Sequence, residues 1–212
     1  MSTATVTTPM TAEEFVRDYG DSRGVELVRG QLVRLPMPGA QHGYVTVQAT
    51  KLIGIFVDNA KLGRCMGVDT FIRVRKDPPS YRGADLAFMS YERLPKSEPL
   101  PVGPLEIPPD LVVEVKSPSD RWKSVREKTE DYLSAGVAVV LVLDPATDTL
   151  TTHRDDELHV TFHNGDTVPG NINCVPHGLH QLADDDLVCG TIFGTQNVQA
   201  MTVGRHGGHG RL

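Results

Sequence analysis

The chain has little of what would staple or anchor a protein. Its 212 residues contain three cysteines, Cys65, Cys174 and Cys189, and no two of them form a CxxC pair. That spacing speaks against a disulfide framework and a thiolate zinc site, and a reducing cytoplasm is the expected compartment. Long apolar runs are missing too. The longest, Val137 to Leu143, falls far short of the roughly 20 residues a membrane helix needs, so no membrane partner is expected. The first residues, Met1 to Pro9, lack the basic and apolar regions of a signal peptide. Net positive charge is absent as well. Lys and Arg number 21 against 27 Asp and Glu, a formal charge of -6. Affinity for phosphates rests mainly on lysine and arginine, so this balance weighs against a nucleic-acid binder. Carboxylate-rich metal sites, however, add negative charge of their own.

What is present is ordinary globular material: 39% hydrophobic and 23% charged residues, enough for one domain with a core that needs no staples. Thr11 and Glu14 stand at capping-box spacing and predict a short helix from Thr11. VELVRGQLVRL alternates about Arg29-Gly30 and reads as a hairpin. From Gln41 to Asn59, Val45, Ala49, Leu52, Ile53 and Phe56 recur at helical spacing. Two alternating runs, Gly63 to Met66 and Thr70 to Val74, precede a proline-containing loop, KDPPSYRG, and the strand ADLAFM.

The stretch PPDLVVEVKSPSD, residues 108 to 120, carries the chemistry. Leu111 to Val113 suit a buried strand, which then runs into Glu114 and Lys116 before a Ser-Pro turn. A helix follows, capped by Ser119 or Asp120, with Trp122, Val125, Thr129 and Tyr132 on one stripe and Gly136 as its stop. GVAVVLVLD is a further buried strand. Strand, helix and strand form a right-handed βαβ unit with parallel strands. Thr149 to Arg154 and Glu157 to His163 read as a hairpin, and the glycine-rich segment from Gly194 as a disordered tail. The expected organisation is a disordered 1–10, one domain over 11–193 and the tail 194–212.

Residues two apart on a strand share a face, so Glu114 and Lys116 project together. They sit at the carboxyl end of a parallel strand, where open α/β sheets place ligands. Asp85 opens ADLAFM in the same polar-then-buried manner. Should those strands be neighbours, two carboxylates about 5 Å apart would repel by roughly 3 kcal/mol at an effective dielectric of 20. A bound cation or a raised pKa would relieve that. Mg²⁺ or Mn²⁺ needs only one or two carboxylates plus water and a substrate phosphate. The bland alternative is a Glu114–Lys116 pair at a strand end, worth at most about 1 kcal/mol.

Asp85 followed by Glu114-Val115-Lys116 resembles the Asp…Glu-x-Lys signature of the PD-(D/E)XK nuclease superfamily. More narrowly, VELVRGQLV, the helix opening Gln41-His42-Gly43, ADLAFMSYERLP, PPDLVVEVKSPSDR, VREKTEDYLSAGV and VVLVLDPATDTLTTHR resemble, in order, the Uma-two family of restriction endonucleases. The likeness runs from about Val25 to His163. It implies an α/β, restriction-endonuclease-like mixed sheet flanked by helices and a metal-dependent endonuclease acting on nucleic acid, DNA first. It also implies a metal held by Asp85 and Glu114, with Lys116 as the signature lysine. Glu26 is similar to the extra acidic residue such nucleases place near the metal, or else is a strand carboxylate facing solvent. His42 faces substrate or simply sits at a helix end. Lys128 competes with Lys116, because some members of the superfamily draw their lysine from the following helix; its alternative is a stem that covers apolar surface. Ala84 stands where the signature has proline, a residue that is no ligand. A homodimer would suit a duplex cutter. The competing classes are a non-catalytic scaffold or dimerisation module that keeps the fold, and a hydrolase of smaller phosphate esters.

Overall fold

The structure, a computed structural model, describes residues 9–155, 158–168 and 187–188. Helix α1 (Ala12–Tyr19) starts where the capping box demands. The Thr11 hydroxyl accepts from the Glu14 amide at 3.2 Å, and the Glu14 carboxylate accepts from the Thr11 amide at 2.9 Å. Strands β1 (Val25–Val28) and β2 (Gln31–Arg34) pair antiparallel through Arg29 and Gly30, both at positive φ (50° and 76°). That is the conformation a two-residue hairpin loop requires. Helix α2 (Ala40–Ala60) follows, then β3 (Gly63–Arg75), β4 (Ser80–Ser90) and β5 (Leu111–Val115). Helix α3 (Trp122–Ala135) stops at Gly136, whose φ of 100° suits only glycine without strain. The chain goes on through β6 (Val139–Asp144), β7 (Thr149–His153), β8 (Val160–Phe162), β9 (Thr167–Val168) and β10 (Leu187–Val188).

Strands β1 to β8 make one mixed sheet, with β5 and β6 parallel and α3 as their crossover; β9 and β10 pair separately. Strand β4 is its axis. One edge of β4 pairs with β3 along its length. The other edge is shared: β1 meets it at Tyr81, and β5 meets it from Leu86 to Phe88. Between those contacts, on that same edge, residues 82 to 85 pair with neither β1 nor β5, which leaves a gap in the ladder.

Alternation decides what each face carries. On β5 and β6, Leu111, Val113, Val115, Val139, Leu141 and Leu143 pack with Val45, Ala49 and Val57 of α2. Val112, Val140 and Val142 pack with Tyr132 and Val125 of α3. Each valine so buried contributes about 1.5–3 kcal/mol. Since Glu114 has the parity of Val112, it falls on the α3 side. Helix α1 closes the β1 end, with the Phe15 ring 5.2 Å from Phe71 and 5.4 Å from Tyr81.

Three local expectations need correction. The two runs between Gly63 and Val74 are one strand, β3, interrupted by a register shift between Gly67 and Thr70. Asp69 takes φ 58° there, and such bulges let a strand keep pairing past an extra residue. Ser80 to Gly83, read as loop, belong to β4, because β3 pairs with them. The cap of α3 is Arg121, without a side-chain bond; Asp120 instead accepts from the Ser117 amide at 2.8 Å and closes the Ser-Pro turn. The tail expected from Gly194, and most of the stretch after Val168, lie outside the described residues. Among the described residues no helix is long and apolar enough to cross a membrane.

Phe15 is fully buried, stacked on Tyr19 and Tyr81 and edge-on to Phe71. Phe15→Ala should lower the unfolding free energy by about 3–5 kcal/mol. Urea denaturation followed by far-UV circular dichroism measures it, and a loss under 1 kcal/mol would contradict this packing.

Candidate active site

The gap on β4 is filled by side chains in place of a strand. Gly83 turns its amide and carbonyl into it. The amide donates to Glu26 Oε1 at 3.1 Å, and the carbonyl accepts from Lys128 Nζ at 2.8 Å. Buried backbone polar groups must find partners, and here Glu26 from β1 and Lys128 from α3 supply them. The Lys128 ammonium also reaches Glu114 Oε2 at 2.8 Å and Glu26 Oε1 at 3.1 Å. One helical turn on, at the i+4 position, the Tyr132 hydroxyl donates to Glu114 Oε1 at 2.8 Å. Both oxygens of Glu114 are thus gripped from α3.

Arg82 ties the cluster to the same helix. Its guanidinium donates to Glu26 Oε2 at 2.8 Å and, through Nε and Nη2, to Asp131 Oδ2 at 2.9 and 2.6 Å. Glu26 is 1% exposed and receives three donors, so it is no solvent-facing strand carboxylate. On the far side of the gap stands Asp85, opposite the register shift in β3. Its Oδ2 accepts from the Val115 amide at 2.7 Å and lies 3.3 Å from His42 Nε2, in the first turn of α2. Asp85 and Glu114 line one cleft of about 240 Å³ together with Glu26, His42, Lys116 and Lys128.

The two lysines are placed differently. Lys128 touches Glu114. Lys116, just past the end of β5, lies 3.7 Å from Asp144 Oδ2 with its ammonium 5.3 Å from the centre of the Trp122 ring. Sequence reasoning passed over Arg82, Asp131 and the Tyr132 hydroxyl. Arg82 was hidden in a segment taken for loop. Asp131, three residues after Lys128, carried a spacing signal that only a placed helix makes useful.

Electrostatics follow from burial and crowding. Burial pushes the Glu114 carboxyl up to about 8; Lys128 opposes the rise and Asp85 adds to it. Glu26 goes the other way. Burial would raise it, but Lys128 and Arg82 bring it below its ordinary value. For Lys128 burial alone would lower the pKa, yet Glu114, Glu26 and Asp85 raise it, so the ammonium stays charged. Desolvation would likewise lower His42, and Asp85 outweighs that and raises it.

The sequence of residues 12–180 matches the model of the Uma2 family, described as "Putative restriction endonuclease". This chain belongs to the Uma2 family. The match extends beyond the Val25 to His163 stretch in which the likeness is plain to the eye. No curated protein matches the chain. Among solved structures, the fold is similar to the crystal structure of "a putative nuclease belonging to DUF820" from Anabaena variabilis ATCC 29413. The TM-score is 0.71 at 20% sequence identity, covering 88% of this chain and 99% of that one. The restriction-endonuclease-like mixed sheet flanked by helices is therefore the fold of this Uma2 chain.

The raised pKa of Glu114 has a measurable sign. Its native value lies above the ordinary 4.5, so its contribution to stability is fullest below that pH and is lost as pH rises through about 8. Glutamine stays neutral throughout. Glu114→Gln should therefore gain stability relative to the parent as pH climbs from about 5 to about 9, read by urea unfolding. A difference that stays constant over that range would refute the assignment.

Proposed function

We propose that this protein is a metal-dependent endonuclease that hydrolyses phosphodiester bonds of nucleic acid, with DNA as substrate. One observation carries the reading. Around the gap in the sheet, four carboxylates (Glu26, Asp85, Glu114 and Asp131) face two permanent cations, Arg82 and Lys128. Burial, with Asp85 adding to it, disfavours the Glu114 carboxylate, and a divalent cation beside it would offset that cost.

The donor set fits a hard ion. Among the described residues no three His, Cys, Asp or Glu side chains gather into a ready cluster. Mg²⁺ does not ask for one, since it keeps several waters and takes one or two carboxylates. Asp85 and Glu114 would hold Mg²⁺ or Mn²⁺. Asp85 Oδ1 carries no hydrogen bond among the described residues, while Oδ2 is anchored to the β5 backbone, so the carboxylate is oriented with one oxygen to spare. A bound ion would supply Lewis-acid polarisation of the phosphoryl group.

The remaining work belongs to the chain. The Lys128 ammonium, fixed by Glu26 and the Gly83 carbonyl, is set to stabilise negative charge developing on a phosphoryl oxygen. Glu26 takes a positioning role in this reading: with its oxygens occupied by Arg82, Gly83 and Lys128, it aims the lysine. Tyr132 holds the Glu114 carboxylate in one rotamer, and His42 steadies Asp85. Lys128 thereby takes the place that the Glu-x-Lys spacing suggested for Lys116.

Cleavage of supercoiled plasmid and of labelled oligonucleotides in Mg²⁺ and Mn²⁺ tests the proposal. Asp85→Ala should abolish turnover. Lys128→Ala should lower kcat by about 10²–10³, the usual loss for one electrostatic donor, and Lys116→Ala by less than about tenfold. A purified chain that binds neither ion by calorimetry and leaves every substrate intact would end the proposal.

A further inference from the structure

We infer that the cleft is built to take an unpaired polynucleotide strand rather than a base-paired duplex. This rests on the nuclease reading and names its substrate class. Part of the cleft lining is apolar. It is the segment Leu35-Pro36-Met37-Pro38, which lines the cleft beside His42 and Asp85. Its side chains are exposed, Met37 at 82%, and the prolines restrict the backbone that presents them.

A second apolar surface lies beside Lys116, a residue of the cleft lining. Trp122 opens α3, is 44% exposed, and is the chain's single tryptophan. Lys116 holds its ammonium 5.3 Å from that ring, a cation–π contact that keeps the indole close to the cleft.

Electrostatics point the same way. A duplex offers backbone phosphates and groove edges, and proteins that hold it neutralise several phosphates with lysine and arginine. Here most cations lining the cleft are already engaged: Lys128 with Glu26 and Glu114, Arg82 with Glu26 and Asp131, and Lys116 with Asp144. Arg23 lines the cleft exposed and without an ion pair among the described residues. With a formal charge of -6 there is little long-range attraction to add. Base faces remain as the handle. They are hidden in a duplex and open in a single strand, where aromatic and apolar side chains hold them with little regard to sequence.

The single tryptophan makes the test direct. A 5′-fluorescein deoxyoligonucleotide of mixed sequence would be titrated, alone or annealed to its complement, against the full chain in EDTA. Anisotropy would be read for both forms, and tryptophan emission with unlabelled copies. The strand should bind at least tenfold more tightly than the duplex and quench Trp122. Trp122→Ala and Met37→Ala should each weaken strand binding by about tenfold, and Trp122→Phe should restore most of the first loss. Equal or tighter duplex binding, no binding of either form, or an unquenched Trp122 at saturation would overturn the inference. The nuclease reading fails separately, if the strand binds with quenching yet stays intact in Mg²⁺ and Mn²⁺.

Discussion

The Lys128 ammonium is the contact on which the site depends. It closes an opening in the sheet, accepted by the Gly83 carbonyl at 2.8 Å, and in doing so joins Glu26 of β1 to Glu114 of β5. The two strands share one edge of β4 without reaching each other. Without an ammonium there, two carboxylates and an orphaned carbonyl would face one another in a space largely shut off from water, which carries a heavy desolvation cost. The helix that presents Lys128 also presents Asp131 and Tyr132, so packing α3 on Val112, Val140 and Val142 assembles the polar cluster in the same act.

Stability alone does not explain such an arrangement. Replacing a buried ionic network by apolar residues of similar volume is often neutral or favourable, whereas removing one partner is strongly destabilising. A chain selected only to fold would fill the gap with a longer β1 or with leucines. What this cluster offers instead is a set of oriented oxygens with negative charge in excess, held rigidly enough that little reorganisation is needed when charge develops nearby. The Glu114 carboxyl is pushed up to about 8, first by burial and further by Asp85. Strained electrostatics of this kind concentrate at functional sites.

How much of this the sequence discloses depends on the range of the interaction. Local devices are legible: the Thr11–Glu14 capping box, the Arg29-Gly30 turn, and the parallel pair flanking a helix all follow from short patterns. Asp85 and Glu114 stand out because a carboxylate at the end of an apolar run is costly wherever it lies. The choice of lysine is harder to read. Spacing along a strand says that Glu114 and Lys116 share a face, but the strand ends at Val115, and the chain there turns Lys116 toward Asp144 and Trp122. Lys128 reaches Glu114 through helix-to-sheet packing; its place three after Val125 and four before Tyr132 puts it on the sheet-facing stripe, but no spacing names its partner fourteen residues away. Arg82 was lost for a similar reason. Its strand identity comes from pairing with β3, and the prolines before it mask that.

The acidity of the chain and its nuclease fold then cease to conflict. Glu26, Glu114 and Asp131 pair with Arg82 and Lys128, and in the proposed reading a divalent ion takes up the charge that remains. In the proposed reading, a divalent ion held there offsets the repulsion between those carboxylates and a phosphodiester. On that reading, affinity for the rest of the substrate comes from surfaces that carry no charge. The exposed Met37 of the cleft lining and Trp122 beside Lys116 are surfaces of that kind, and the inferred strand would meet them with its uncharged base faces.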